Sequence, residues 1–154
     1  MRALIMLVTL GLLAGCGTTY RRPILGMAGG YSDKKVGEGH WKVVFGTNAY
    51  AARGYALNAA LYRSAELARG GGYPFFQIVK SNMVVGSFSV GYGYAAPGGG
   101  HYGGEGVYLT VRGVRGREAE LACENPDGRG CITLDTEETL RELEPVVKPK
   151  RKGR

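Results

Sequence analysis

The stretch over residues 50–69 constrains the fold most: Ala51, Gly54, Leu57, Leu61, Ala65 and Ala68 recur at three- and four-residue steps, the spacing of one helix face. The stripe is thin and built largely of alanine and glycine, so the helix is expected to lie tightly across a sheet. Gly70-Gly71-Gly72 ends it, because glycine takes left-handed cap conformations and does not sustain a helix. Ahead of it, Trp41, Val43 and Phe45 alternate as on a strand, and Gly46-Thr47-Asn48 supplies a turn. Phe75-Phe76-Gln77-Ile78-Val79-Lys80 reads as the strand that follows.

Strand, helix, strand permits a right-handed crossover between parallel neighbours, or a split arrangement with another strand between them. Further strands are expected over residues 83–90 and 106–112, with loop-joined neighbours antiparallel. Asp135-Thr136-Glu137-Glu138 resembles a capping box opening a short helix through Leu143, which Pro145 ends. The fold class is α+β: a small mixed or antiparallel sheet with one main helix, at about residues 50–69, packed on it.

At the amino end, residues 3–13 form an apolar run behind Arg2, too short for a bilayer-spanning helix of ~20 residues. It closes on Leu13-Ala14-Gly15-Cys16, which resembles the lipobox of bacterial lipoproteins. The resemblance implies cleavage before Cys16, a diacylglycerol on its thiol and acylation of the new amino terminus. The alternative is an ordinary secretory signal with a chance cysteine. One acyl chain holds a protein only marginally at ~0.8 kcal/mol per buried methylene, whereas the three chains of this class make a stable anchor. Gly17 in place of aspartate implies, by the same resemblance, sorting to the outer membrane, on its periplasmic face.

This divides the chain into a signal peptide (1–15), a lipidated tether (16–30), one domain (31–144) and a basic, disordered tail (145–154). The 139 residues that remain of 154 suffice for one modest core. The net charge is +7, and Lys148, Lys150, Arg151, Lys152 and Arg154 concentrate it at the end. Such a tail is ordinarily solvated, and its functional alternative is attraction to lipid headgroups or cell-wall polymer. Nucleic acid is not an expected partner in an envelope compartment.

With Cys16 assigned to lipid, Cys123 and Cys131 form an even pair in an oxidising compartment. Turn formers, Asn125-Pro126-Asp127-Gly128 among them, lie between the two, so a Cys123–Cys131 disulfide closing a small loop is expected. Zinc is the competing reading, but two thiols do not complete its shell and His40 and His101 are isolated. No metal and no cofactor is expected. Residues 91–104, with Tyr92, Tyr94 and Tyr102 among glycines, read as a flexible hairpin loop or as a sticky surface for a protein or glycan. They lack the Lys-Ser/Thr ending of a phosphate-binding loop.

Gly30-Tyr31-Ser32-Asp33, Val43-Val44-Phe45-Gly46-Thr47-Asn48, Leu61-Tyr62-Arg63-Ser64-Ala65-Glu66-Leu67 and Gly72-Tyr73 before Phe76-Gln77-Ile78 resemble a family of small proteobacterial outer-membrane lipoproteins of unknown function. The resemblance covers about residues 29–80 and implies location and fold but no reaction. The chain departs from the pattern in Ala51, where a capping threonine is expected, and in Ser64 for alanine.

Arg63 and Glu66 are spaced to pair on a helix, an ordinary surface interaction of ~0.2–0.5 kcal/mol, and Ser32-Asp33 reads as a turn before the first strand. A ligand-binding role for Asp33, Arg63 and Glu66 is the sharper alternative. No nucleophile with its base stands out, and two dispersed histidines give little support to acid/base catalysis. The expectation is a non-enzymatic envelope lipoprotein, membrane-bound through covalent lipid at Cys16 and acting as a structural or interaction module. Possible partners are an envelope protein, peptidoglycan or lipopolysaccharide. The alternative is a module that binds a polyanion or glycan through the Gly/Tyr loop and basic tail, with an unrecognised hydrolase behind both.

Overall fold

The computed structural model describes residues 18–22, 29–88, 102–116 and 131–149. The elements run β1 (Gly30–Gly37), β2 (His40–Gly46), α1 (Tyr55–Gly70), β3 (Phe75–Phe88), β4 (Tyr102–Val114), β5 (Ile132–Asp135) and α2 (Thr136–Val147). The five strands form one sheet in the order β1-β2-β4-β3-β5, every neighbouring pair antiparallel. Because β4 is antiparallel to both β2 and β3, those two strands run parallel with β4 between them. The strand–helix–strand unit is therefore the split form, within an α+β fold.

One sheet face is apolar because the alternation of β2 and β4 is in phase. Trp41 lies opposite Val111, Val43 opposite Leu109 and Phe45 opposite Val107, all of them buried. Each such side chain contributes ~1.5–3 kcal/mol on removal from water. From α1, Ala56, Ala59, Ala60, Tyr62, Ala65 and Ala68 join them in the core, and α2 adds Leu140 and Val147.

The helical period of α1 matches the sequence pattern, but the buried face is rotated. Ala65 and Ala68 are buried as expected, whereas Leu57 is exposed and Leu61 half-buried. The alanines are fully buried in the core shared with the strands and α2, and the leucines lie at its margin. The helix starts at Tyr55, later than residue 50, because Gly54 adopts a left-handed φ of 78°.

Several expected boundaries are corrected. Ser32 and Asp33 lie within β1, paired with Val44 and Val43, and not in a turn. Residues 75–88 form one strand where two were expected, because the register shifts between Ile78 and Lys80. The extra residue, Val79, reverses the alternation and makes one strand read as two. The short β5 was not anticipated.

Asp135 caps α2 as expected, accepting the Glu138 amide at 2.9 Å. The helix nevertheless continues past Leu143, with Pro145 inside it, to Val147. Proline removes one amide donor there, and burial of Val147 holds the last turn in place. The expected free tail from residue 145 thus begins as helix, and the expected tether includes Thr18, which is buried.

Candidate interaction site

Asp33 follows the inward-facing Tyr31 by two residues on β1, so it also points to the helix layer, where Arg63 of α1 meets it. Arg63 Nε donates to Asp33 Oδ1 at 3.0 Å, and Arg63 Nη1 donates to Glu66 Oε2 at 2.8 Å. The guanidinium carbon lies 4.6 Å from the centre of the Tyr31 ring. Tyr20 donates its hydroxyl to the same Glu66 oxygen at 2.5 Å. Lys148, just beyond α2, donates to Glu66 Oε1 at 2.8 Å. Its ammonium also lies 4.9 Å from the Tyr20 ring centre and 4.6 Å from that of Tyr62.

Glu66 is thus the hub of a clasp joining β1, α1, the amino-terminal segment and the end of α2. Burial alone would raise its carboxyl, but hydrogen bonds from Lys148, Tyr20 and Arg63 outweigh burial and hold it below the ordinary value. Burial, then the bond to Glu66, pushes the Tyr20 hydroxyl up. For Lys148, burial acts downward, yet the bonds to Glu66 and Tyr62 leave it raised. Arg63 is likewise raised, its bonds to Glu66 and Asp33 overcoming burial. The chemistry is that of an ionised carboxylate held by three donors, which secures chain segments.

The residues weighed in the sequence as a possible site, Asp33, Arg63 and Glu66, are therefore brought together. Tyr20, Tyr31, Tyr62 and Lys148 complete the cluster and escaped sequence reasoning. Spacing could reveal only the Arg63–Glu66 pair, because Lys148 is 82 residues from Glu66.

A second region lies where the sheet ends beside the start of α1. Thr47 Oγ1 accepts the Glu105 amide at 2.8 Å, and both Glu105 carboxylate oxygens accept the Gly54 amide, at 3.0 and 2.9 Å. A negative charge at the amino end of α1 complements the helix dipole. Beside it is an open groove of about 510 Å³ lined by Thr47, Asn48, Arg53, Val85 and Glu105 among others.

The sheet face away from the helices mixes apolar residues such as Val44 and Tyr108 with a row of lysines. Lys34 pairs with Lys42, Lys42 with Thr110 and Thr110 with Lys80, so three exposed lysines share one row across four strands. In the next row Arg112 donates to Gln77 Oε1 at 3.1 and 2.6 Å, and Gln77 Nε2 donates to Thr133 at 3.1 Å.

Cys16 and Cys123 lie outside the described residues, as do His101, residues 91–101 of the Gly/Tyr segment and residues 150–154. Tyr102, Gly103 and Gly104 of that segment belong to β4. Cys131 is disulfide-bonded, and its pairing with Cys123 stays an expectation of the sequence. His40 Nδ1 is 2.7 Å from the Glu38 carbonyl oxygen. Among the described residues, no group of three or more His, Cys, Asp or Glu could hold a metal ion, and no helix is long and apolar enough to cross a membrane.

Compared with protein-family models, curated proteins and solved structures, the chain gives no significant match.

Proposed function

We propose that this chain is a bacterial envelope lipoprotein, anchored through Cys16 on the periplasmic face of the outer membrane, whose α+β domain is a non-enzymatic structural or interaction module. The carrying observation is how soon after Cys16 the chain joins the domain. Thr18 is 8% exposed and accepts the Asn48 amide at 2.8 Å, and Tyr20 is bound to Glu66. Two residues of chain reach at most about 7 Å, so acyl chains on Cys16 would hold the domain body against the bilayer with no long linker. Close, fixed placement suits a scaffold or docking element. The lipobox-like Leu13-Ala14-Gly15-Cys16 and the resemblance to small proteobacterial lipoproteins support the same reading.

Density-gradient fractionation of envelope membranes tests it. The protein is expected to band with outer membrane and to leave that band on Cys16→Ser substitution. Recovery of the unsubstituted protein in the soluble periplasmic fraction would refute the proposal. Crosslinking in intact cells then identifies its neighbours.

The Lys34, Lys42 and Lys80 row favours a second reading, in which the domain binds polyanionic glycan or lipid. Lys148 is engaged with Glu66, so this reading places the contact on the sheet face more than on the tail. Cosedimentation with purified lipopolysaccharide or cell wall should then be salt-sensitive and weakened when all three lysines become alanine. Unchanged binding in that variant would exclude the sheet face.

A further inference from the structure

Near the end of β2 beside Thr18 lie the two most exposed large apolar side chains among the described residues, with Ile132, Val36 and Val146 exposed to a lesser degree elsewhere. Tyr50 is 77% exposed, Val85 76% and Met83 47%. Val85 and Asn48 line one groove, and the Asn48 amide is bonded to Thr18 while its carboxamide oxygen accepts the Tyr50 amide at 3.2 Å. Arg53, also exposed, borders the same groove. Exposed tyrosine and aliphatic side chains beside a cation form the composition that partitions into the headgroup zone of a bilayer. At the opposite end of β2, the turn of Glu38 and Gly39 carries an acid beside the exposed Val36.

We infer that residues 48–53 and Val85 form the surface that seats on the phospholipid headgroup layer, with Tyr50 and Val85 entering it and Arg53 meeting lipid phosphate. The inference rests on acylation of Cys16, which would place the acyl chains at this end of the domain through the two-residue reach to Thr18. The anchor supplies attachment, and this surface supplies orientation. The turn at Glu38, at the opposite end of β2, then lies away from the bilayer. The lysine row and both helices remain open to the periplasm.

The full-length acylated protein, reconstituted into phosphatidylethanolamine/phosphatidylglycerol vesicles whose acyl chains are brominated near the headgroup, tests this by tryptophan quenching. Tyr50→Trp adds a reporter at the proposed surface and Glu38→Trp a matched one at the far end, with the signal of buried Trp41 subtracted from the unsubstituted protein. Both positions are exposed, so either variant should fold. The added tryptophan in Tyr50→Trp is expected to be quenched at least twofold more than that in Glu38→Trp. Equal quenching at the two positions, or none at either, in protein shown by mass spectrometry to carry acyl groups overturns this orientation while leaving the anchor intact. Absence of acyl groups on Cys16 would remove both the anchor and the orientation built on it.

Discussion

The Lys148 ammonium lies 2.8 Å from Glu66 Oε1, joining the end of α2 to the middle of α1. Glu66 is the more consequential partner, because Arg63 and Tyr20 also donate to it. Substituting Glu66→Gln is expected to cost about 2 kcal/mol, since two cations and a hydroxyl lose the charge that holds them. Lys148→Ala should cost only ~0.5 kcal/mol, because this ammonium is partly in water and the remaining donors keep Glu66 satisfied. Urea unfolding of the two variants and their double mutant gives both values and the coupling between the sites.

The same clasp sets the pH range of stability. The folded Glu66 carboxyl sits below its ordinary value, so its contribution is full above the unfolded value of ~4.3 and is lost as pH falls through the lower folded one. Tyr20 and Lys148 are shifted upward, so their contributions are full below unfolded values of ~10 and ~10.4 and are lost as pH rises through the folded ones. Denaturant midpoints should therefore fall at both extremes, and Glu66→Gln should flatten part of the acid limb.

Close packing at the sheet end gives a contrast between two glycines. A Cβ at Gly104 would come within 2.2 Å of the Thr47 carbonyl oxygen, which belongs to a hydrogen-bonded backbone and has little room to move. Gly104→Ala is expected to destabilise by about 2–3 kcal/mol. At Gly70, in the last turn of α1, a Cβ meets nothing within 4 Å. Gly70→Ala should be neutral or stabilise by up to ~1 kcal/mol, through lower freedom of the unfolded chain. Thermal unfolding of the two variants separates them.

How much of this was legible in the sequence depended on periodicity. The alternation of Trp41, Val43 and Phe45 and the three- and four-residue steps of α1 identified the elements that build the core. Strand β1 was hidden because Asp33 occupies an inward position that a hydrophobic pattern would fill, its charge balanced by Arg63 on another element. Val79 concealed the continuity of β3 by interrupting its alternation. At the clasp, the Arg63–Glu66 spacing was visible, but Tyr20 and Lys148 lie in short segments with no repeat to read. Pro145 signalled a helix end that tertiary burial of Val147 overrode.

Cys131 stands immediately before β5, which among the described residues pairs with β3 alone, so a covalent tie there steadies a short strand. If Cys123 is its partner, alkylation of the native exported protein should modify neither thiol, and reduction should expose both. The short loop should contribute about 2 kcal/mol, the lower end of the usual range. Two freely alkylated thiols before reduction would exclude the pairing.

Fatty-acid labelling of the protein in growing bacterial cells tests acylation of Cys16 most directly. The unsubstituted chain should incorporate label and Cys16→Ser should incorporate none. Label retained in Cys16→Ser, or absent from the unsubstituted chain, would contradict a lipid anchor at this residue.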